Sequence, residues 1–273
     1  MLKIAVLMTC HNRKEKTLAC LKSLYDNVIP DGYLLEVFLV DDGSIDGTAD
    51  GVMEKYPDVK IICGNGNLYW SGGMRLAWSV AAKNNFDYYI WLNDDVLLFE
   101  NSLRALLISA LNTKNSAIIC SAMISESLDQ ITYGGTMKGS KKTHVPDGTL
   151  SECQIINGNC VIIPKFVFDV IGNIDKIFHH GIGDHDYGLR AIEAGLKCYV
   201  APDVIGICNS NTLPPKWLSN KYSFIQRVKF LYSPLRKSYP VVYFIYVRRH
   251  FGLFQAVKQF IFIHIRVVFL NFF

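Results

Sequence analysis

Apolar residues fall along the chain in short runs, and in the first third each run ends in a polar cluster. Leu2–Met8, Leu34–Val40, Lys60–Cys63 and Tyr88–Leu92 have the length and the aliphatic or aromatic content of buried strands. Between the first two, Leu18, Leu21, Leu24 and Tyr25 recur at helical spacing. A short helix is expected to end near Tyr56-Pro57, and another to run from about Gly72 to Asn84-Asn85. Alternating strands and helices predict parallel strands with helices on both faces. Ligands of such sheets bind beyond the carboxyl ends of the strands. The clusters Thr9–Arg13, Asp41–Asp46, Gly64–Asn67 and Asn93–Asp95 all fall there.

The second half changes character. Val96–Phe99 leads toward a helix over Ser102–Leu111, and Ser116–Met123 reads as a strand. Residues 124–154 are polar and predict irregular strands or a loop. Gln154–Pro164 is strand-like, with Gly158 placed where a ligand can approach the backbone. Phe166–Ile171 predicts a short helix. Asp184 and Asp186 precede a helix that ends at Gly195, and Cys198–Val200 is expected to be a last strand, stopped at Pro202.

Candidate chemistry sits in these clusters. Adjacent Asp94 and Asp95 repel each other and are costly to desolvate at the edge of a core. A divalent cation removes that cost; a solvated Asn-Asp turn is the alternative. Asp184 and Asp186 either cap their helix or act in acid–base chemistry. His179, His180 and His185 lack a helical ligand spacing, which favours positioning or acid–base roles over metal ligation. No glycine-rich dinucleotide or P-loop fingerprint occurs.

Charge changes the picture of the C-terminus. Up to Asp203 the chain has 18 basic and 24 acidic residues, and after it 10 basic and no acidic ones, so a body of −6 carries a tail of +10. A basic, aromatic tail points to an anionic surface as partner. Its apolar runs are interrupted by Arg248-Arg249-His250, Lys258 and Arg266, too often to cross a bilayer. If 248–270 is one helix, Arg248, Gly252, Gln255, Gln259 and Arg266 form a narrow polar stripe. Such a helix either packs on the body or a second subunit, or lies on a membrane. Its dense Phe and Ile content argues against nucleic acid. The eight cysteines show no C-x-x-C pair, which suggests a reducing, cytosolic setting. The N-terminal apolar stretch is too short for a signal peptide.

In this order, Thr9–Arg13, Val40–Ser44, Gly66-Asn67 with Gly72-Gly73, Asn93–Asp95, Gly158 and Gly183–Arg190 resemble the family-2 glycosyltransferases of the GT-A fold. The resemblance covers about residues 3–210. It is to inverting enzymes using nucleotide-diphosphate sugars, and is strongest to a subgroup that builds bacterial surface polysaccharides, some members being rhamnosyltransferase-like. It implies an α/β protein: a GT-A-type Rossmann-like sheet, mostly parallel, with helices on both faces and a basic apolar helical C-terminal extension. Residues 1–211 would be the catalytic domain (1–99 nucleotide-binding, 100–211 acceptor and catalytic base), and 212–273 the extension.

By the same resemblance, Asp184 is the general base and Asp95 holds Mn2+ or Mg2+ on the diphosphate. Thr9, His11, Asn12, Arg13, Asp41, Asp42, Asn67, Arg75 and Asp94 would bind the nucleotide. Trp70, Asn93, Gly158, His185, Asp186 and Arg190 would position sugar or acceptor, although Arg190 equally suits an ion pair with Asp186. Asn93 stands where an acid is common, and the histidine that often completes the metal site is missing from Val204–Asn209. The implied partners are a UDP- or dTDP-sugar, a glycan or lipid-linked glycan, and the inner face of the plasma membrane. A non-catalytic sugar-binding module and a nucleotidyltransferase are the competing readings. The latter would carry a glycine-rich basic loop after the first strand, and Thr9–Arg13 has no glycine.

Overall fold

Strand β1 (Leu2–Cys10) is the axis of the structure, a computed structural model that describes residues 1–140, 142–210, 214–233 and 239–269. Its side chains alternate between two cores, as the pleat requires. Ile4, Val6 and Met8 meet Leu18, Leu21 and Leu24 of α1 (Lys14–Tyr25) and Leu103, Leu106 and Leu107 of α4 (Ser102–Asn112). Ala5 and Leu7 face Met74, Ala77 and Trp78 of α3 (Tyr69–Ala81) on the other side. Helices thus cover both faces.

Parallel to β1 lie β2 (Tyr33–Asp41) and β4 (Tyr88–Leu92), and β3 (Lys60–Cys63) flanks β2; α2 (Thr48–Lys55) connects β2 to β3. Beyond β4 comes β9 (Cys160–Pro164), antiparallel to it and to β6 (Ala117–Ile124). β10 (Lys197–Ile207) then runs parallel to β6. The sheet order is β3-β2-β1-β4-β9-β6-β10-β5, with β5 (Leu97–Leu98) antiparallel at the far edge. Two short strands in the polar stretch, β7 (Ile131–Tyr133) and β8 (Ser151–Cys153), pair with β6 and β10. The sheet is mostly parallel, as expected.

Three details differ from the expectation. Val96–Phe99 contains the edge strand β5, because its backbone meets the end of β10. That last strand does not stop at Pro202: register shifts between Val200 and Val204, and again before Gly206, take up the proline that lacks an N–H, and pairing resumes to Ile207. The C-terminal segment is not one helix. It breaks at Gly252, whose φ of +88° favours glycine, into α8 (Pro240–Phe251) and α9 (Leu253–Val268). After α5 (Lys165–Ile171), α6 (Gly183–Glu193) meets α8 and α9 in a small apolar cluster that includes Ile182, Leu189, Tyr246 and Ala256. A second cluster joins Trp217 and Leu231 of α7 (Phe224–Leu231) to Ile263 and Val267.

Candidate active site

The carboxyl ends of β1, β2 and β4 open into a cavity of about 330 Å3 lined by Thr9, His11, Arg13, Asp42, Tyr69, Trp70 and Asp94. Asp42 shapes it. Its Oδ1 accepts the Gly66 amide at 2.8 Å, and its Oδ2 accepts the amides of Leu68 and Tyr69 at 2.8 and 3.0 Å. The first amides of α3, which has no acid in its first turn, are thus capped from across the sheet. This carboxylate, expected on the base, has both oxygens engaged by backbone. Asp41 is likewise turned inward, accepting the Ser44 amide at 2.9 Å.

The loop after β1 is fastened to the loop after β2. His11 Nδ1 lies 2.6 Å from the Asp42 carbonyl, and Asn12 bonds Ser44 through its amide and Ile45 through its side chain. Thr9 sits so close to α3 that a Cβ on Gly73 would fall 2.1 Å from its Oγ1, which is why that helix carries glycine there.

Asp94 and Asp95 stand at the turn after β4. Arg13 Nη1 reaches Asp94 Oδ1 and Asp95 Oδ2, each at 2.9 Å. Burial pushes the Asp94 carboxyl up to about 6, with Arg13 opposing the shift and Asp95 adding to it. Oδ2 of Asp94 is buried without a hydrogen-bond partner among the described residues, and Asp95 beside it is partly open. Two carboxylates completed by phosphate oxygens and water suit a small hard cation, so the pair fits one. A third protein ligand is lacking: among the described residues, no three His, Cys, Asp or Glu side chains gather as a metal site. Where a histidine was sought after the last strand stands Cys208, its Sγ 3.8 Å from Asp95 Oδ1. Burial, with the Asp95 charge, pushes that thiol up to about 12.

Asp184 opens α6 and is buried. Its Oδ2 accepts the Gly158 amide at 2.9 Å, and its Oδ1 accepts the His185 amide at 2.9 Å. Gly158 is the meeting point of the two halves. A Cβ there would lie 2.6 Å from the Trp70 ring and 3.3 Å from Asp184 Cβ. Trp70 in turn donates to Asn93 Oδ1 at 2.6 Å, and Asn93 Nδ2 lies 2.6 Å from Asn159 Oδ1. The cavity wall, the Asp94 turn and Asp184 are therefore linked through Trp70, Asn93 and residues 158–159.

Other residues singled out in the sequence lie elsewhere. Arg75 donates to the Phe178 carbonyl at 3.4 Å, and Asn67 is held in its own exposed loop by Asn65. Asp186, with no exposed surface, accepts Arg190 at 2.8 Å, Arg249 at 2.7 Å and lies 2.9 Å from His250 Nε2. Arg190 also bonds the carbonyls of Ile171 and Asn173. Both tie α6 to its neighbours, and Arg190 forms the ion pair with Asp186 that was the alternative for it. Conversely, Tyr69 lines the cavity without having been selected, and of the three histidines expected in positioning or acid–base roles it is His180 that joins this wall. Tyr69 follows the Gly64–Asn67 cluster directly, the one local hint; His180 is brought in from more than a hundred residues away.

Residues 5–169 match the sequence model of the family described as Glycosyl transferase family 2. No curated protein sequence matches the chain. Among solved structures it is similar to the crystal structure of S. aureus TarS, with a TM-score of 0.56 at 14% identity, covering 92% of this chain and 44% of that one. S. aureus TarS 1–349 in complex with UDP gives the same score and identity, covering 92% of this chain and 72% of that one. The chain thus spans less than half the length of the first of these structures. With the family's sequence pattern running over more than half of its length, from β1 into α5, the chain belongs to the family-2 glycosyltransferases.

Proposed function

We propose that the protein is an inverting glycosyltransferase that moves a sugar from a nucleotide-diphosphate donor to a hydroxyl of a glycan or lipid-linked glycan, in the building of a bacterial surface polysaccharide. The observation that carries this is the contact at Gly158. It sets the Asp184 carboxylate against the wall of the cavity in which Arg13, Asp42 and Asp94 converge. The donor occupies that cavity, its base and ribose beside Thr9–Asn12 and its diphosphate toward Arg13. UDP or dTDP is the favoured nucleotide, and the similarly folded S. aureus TarS 1–349 in complex with UDP supports the first.

In the reaction Asp184 takes the proton of the acceptor hydroxyl as that oxygen attacks the anomeric carbon. The bond to the diphosphate breaks with its electron pair going to phosphate, and configuration inverts because attack and departure are on opposite faces. Arg13 offsets negative charge at the leaving group. Asp95, with Asp94, would hold Mn2+ or Mg2+, which supplies further charge neutralisation when bound. The Gly158 and His185 amides hold both Asp184 oxygens in place at the start of α6. We place the reaction on the cytoplasmic face of a membrane, supported by the outward apolar surface of α9, where Phe254 is 83% exposed.

A thermal-shift panel of UDP-, dTDP- and GDP-sugars with and without Mn2+ tests the donor, and Asp184→Asn tests the base. The variant should lose transfer by about a thousandfold or more while UDP still raises its melting temperature. Transfer at the parental rate would remove Asp184 from the mechanism, and a panel without any shift would remove the donor.

A further inference from the structure

A second cavity of about 330 Å3 is lined by His185 of α6, the residue next to Asp184. Its walls also include Tyr243, Tyr246 and Phe251 of α8, and Gln255 and Gln259 of α9. We infer that this cavity is the acceptor subsite and that it takes a pyranose ring of a glycan; the assignment as acceptor rests on the transferase reading above.

Position argues for it first. His185 lines the second cavity, its neighbour Asp184 touches Gly158, and Gly158 touches Trp70 in the wall of the first. The base is therefore joined to the walls of both cavities, through His185 to one and through Gly158 and Trp70 to the other, which suits a group that takes a proton from one substrate during attack on another.

Composition argues next. A pyranose presents a face of C–H bonds and a rim of hydroxyls. Aromatic rings match the face, and side-chain amides, able to donate and accept at once, match the rim. Tyr246 packs with Tyr243 and Phe251 in a run of rings 5.9–6.3 Å apart. Gln255 and Gln259, one turn apart on α9, are half-buried, and no hydrogen bond of either side-chain amide occurs among the described residues. Facing inward, they reverse the usual order of a surface helix: their stripe is turned to the cavity while Phe254, Val257 and Ile261 face out. Ile155, Ile182 and Val247 complete the lining, so an alkyl chain would find apolar contact there but would offer no partner to two amides and an imidazole. Burial, with the charge of Asp184, also raises the Tyr246 hydroxyl, keeping it a neutral phenol near the carboxylate.

Saturation-transfer NMR on the full chain without donor, using methyl glucoside, methyl galactoside, methyl rhamnoside and decyl phosphate at millimolar concentration, tests the inference. At least one glycoside should receive saturation, and Gln255→Leu and Gln259→Leu should each weaken it by about tenfold. A retained UDP thermal shift serves as the check that each variant is folded. Signals that persist undiminished in both variants overturn the inference, as does decyl phosphate binding with no glycoside signal. UDP binding without any glycoside signal sinks the subsite alone. Glycoside binding through both glutamines in a protein that ignores every sugar nucleotide supports the sugar site and sinks the transferase reading instead.

Discussion

Arg13 Nη1 lies 2.9 Å from Asp94 Oδ1 and 2.9 Å from Asp95 Oδ2, so a single guanidinium nitrogen bridges two adjacent carboxylates. The repulsion that points to a cation at this turn is met, in the protein itself, by an arginine from the loop after β1. Arg13→Gln should lower stability by about 1–3 kcal/mol, because Asp94 is buried and loses its charged partner. UDP affinity should fall by about tenfold as the cavity loses the one arginine among its described lining residues and becomes more negative. Mn2+ should restore part of the lost melting temperature in the variant. Calorimetric melts and UDP titrations with and without Mn2+ check this, and an unchanged melt would mean that water screens the bridge.

Asp42 is a clamp before it is a ligand. In Asp42→Asn one of the two oxygens becomes an NH2 group facing backbone N–H donors, either that of Gly66 or those of Leu68 and Tyr69. A loss of about 1–3 kcal/mol is expected. Residues 64–69 should become cleavable in limited proteolysis, and UDP affinity should fall by about tenfold or more. Intact proteolytic resistance would show that the loop keeps its shape without the carboxylate.

What the sequence showed and what it hid divide by range. The alternation of strands and helices was legible because both faces of β1 are buried, Ile4, Val6 and Met8 in one core and Ala5 and Leu7 in the other, so that the strand reads as an unbroken apolar run. The position of the polar clusters at strand ends followed from that alternation. The partners of those clusters did not. Asp42 is satisfied by amides 24 to 27 residues on, and Asp186 by side chains 63 and 64 residues on. An acid that caps a distant helix and one that meets a ligand look alike in a string. The strand β10 was cut short at Pro202 for a related reason, since a bulge that accommodates proline is set by the neighbouring strand. Gly252 could be seen within the C-terminal helical pattern, but only its left-handed backbone reveals that it turns Gln255 and Gln259 inward.

Asp186 makes stability depend on pH. Burial alone would raise its carboxyl, but the hydrogen bond from His250 and the guanidinium groups of Arg190 and Arg249 prevail and hold it below the usual carboxylate value. A carboxyl lowered in the folded state is ionised above its unfolded pKa of about 4, so its stabilisation is fully present at neutral pH. It is lost as pH falls through the lower folded value. Asp186→Asn should cost about 3 kcal/mol or more at pH 7, because Arg190 and Arg249 then lack their shared partner. Urea midpoints followed from neutral to strongly acid pH should fall less steeply in the variant. Equal slopes would locate the acid sensitivity in another carboxyl.

The same ion network decides how the C-terminal helices are best tested on membranes. Deleting residues 240–273 would remove Arg249 and His250 from Asp186 and disturb α6 itself, so release from vesicles could follow from damage to the body. Charge on the outward face of α9 avoids that. Phe254, Val257, Ile261, Ile265 and Val268 recur at helical spacing and are all exposed, with Lys258 beside them and Arg248 exposed at the end of α8. Such a face suits an interface of acyl chains below and anionic headgroups around. Phe254→Glu combined with Ile261→Glu should reduce binding to phosphatidylglycerol vesicles by roughly a hundredfold, since two buried apolar side chains are lost. The UDP thermal shift should survive, because neither residue touches the donor cavity. Parental protein that ignores the vesicles but runs as a dimer, and becomes a monomer in the double variant, would assign this face to a second copy of the chain.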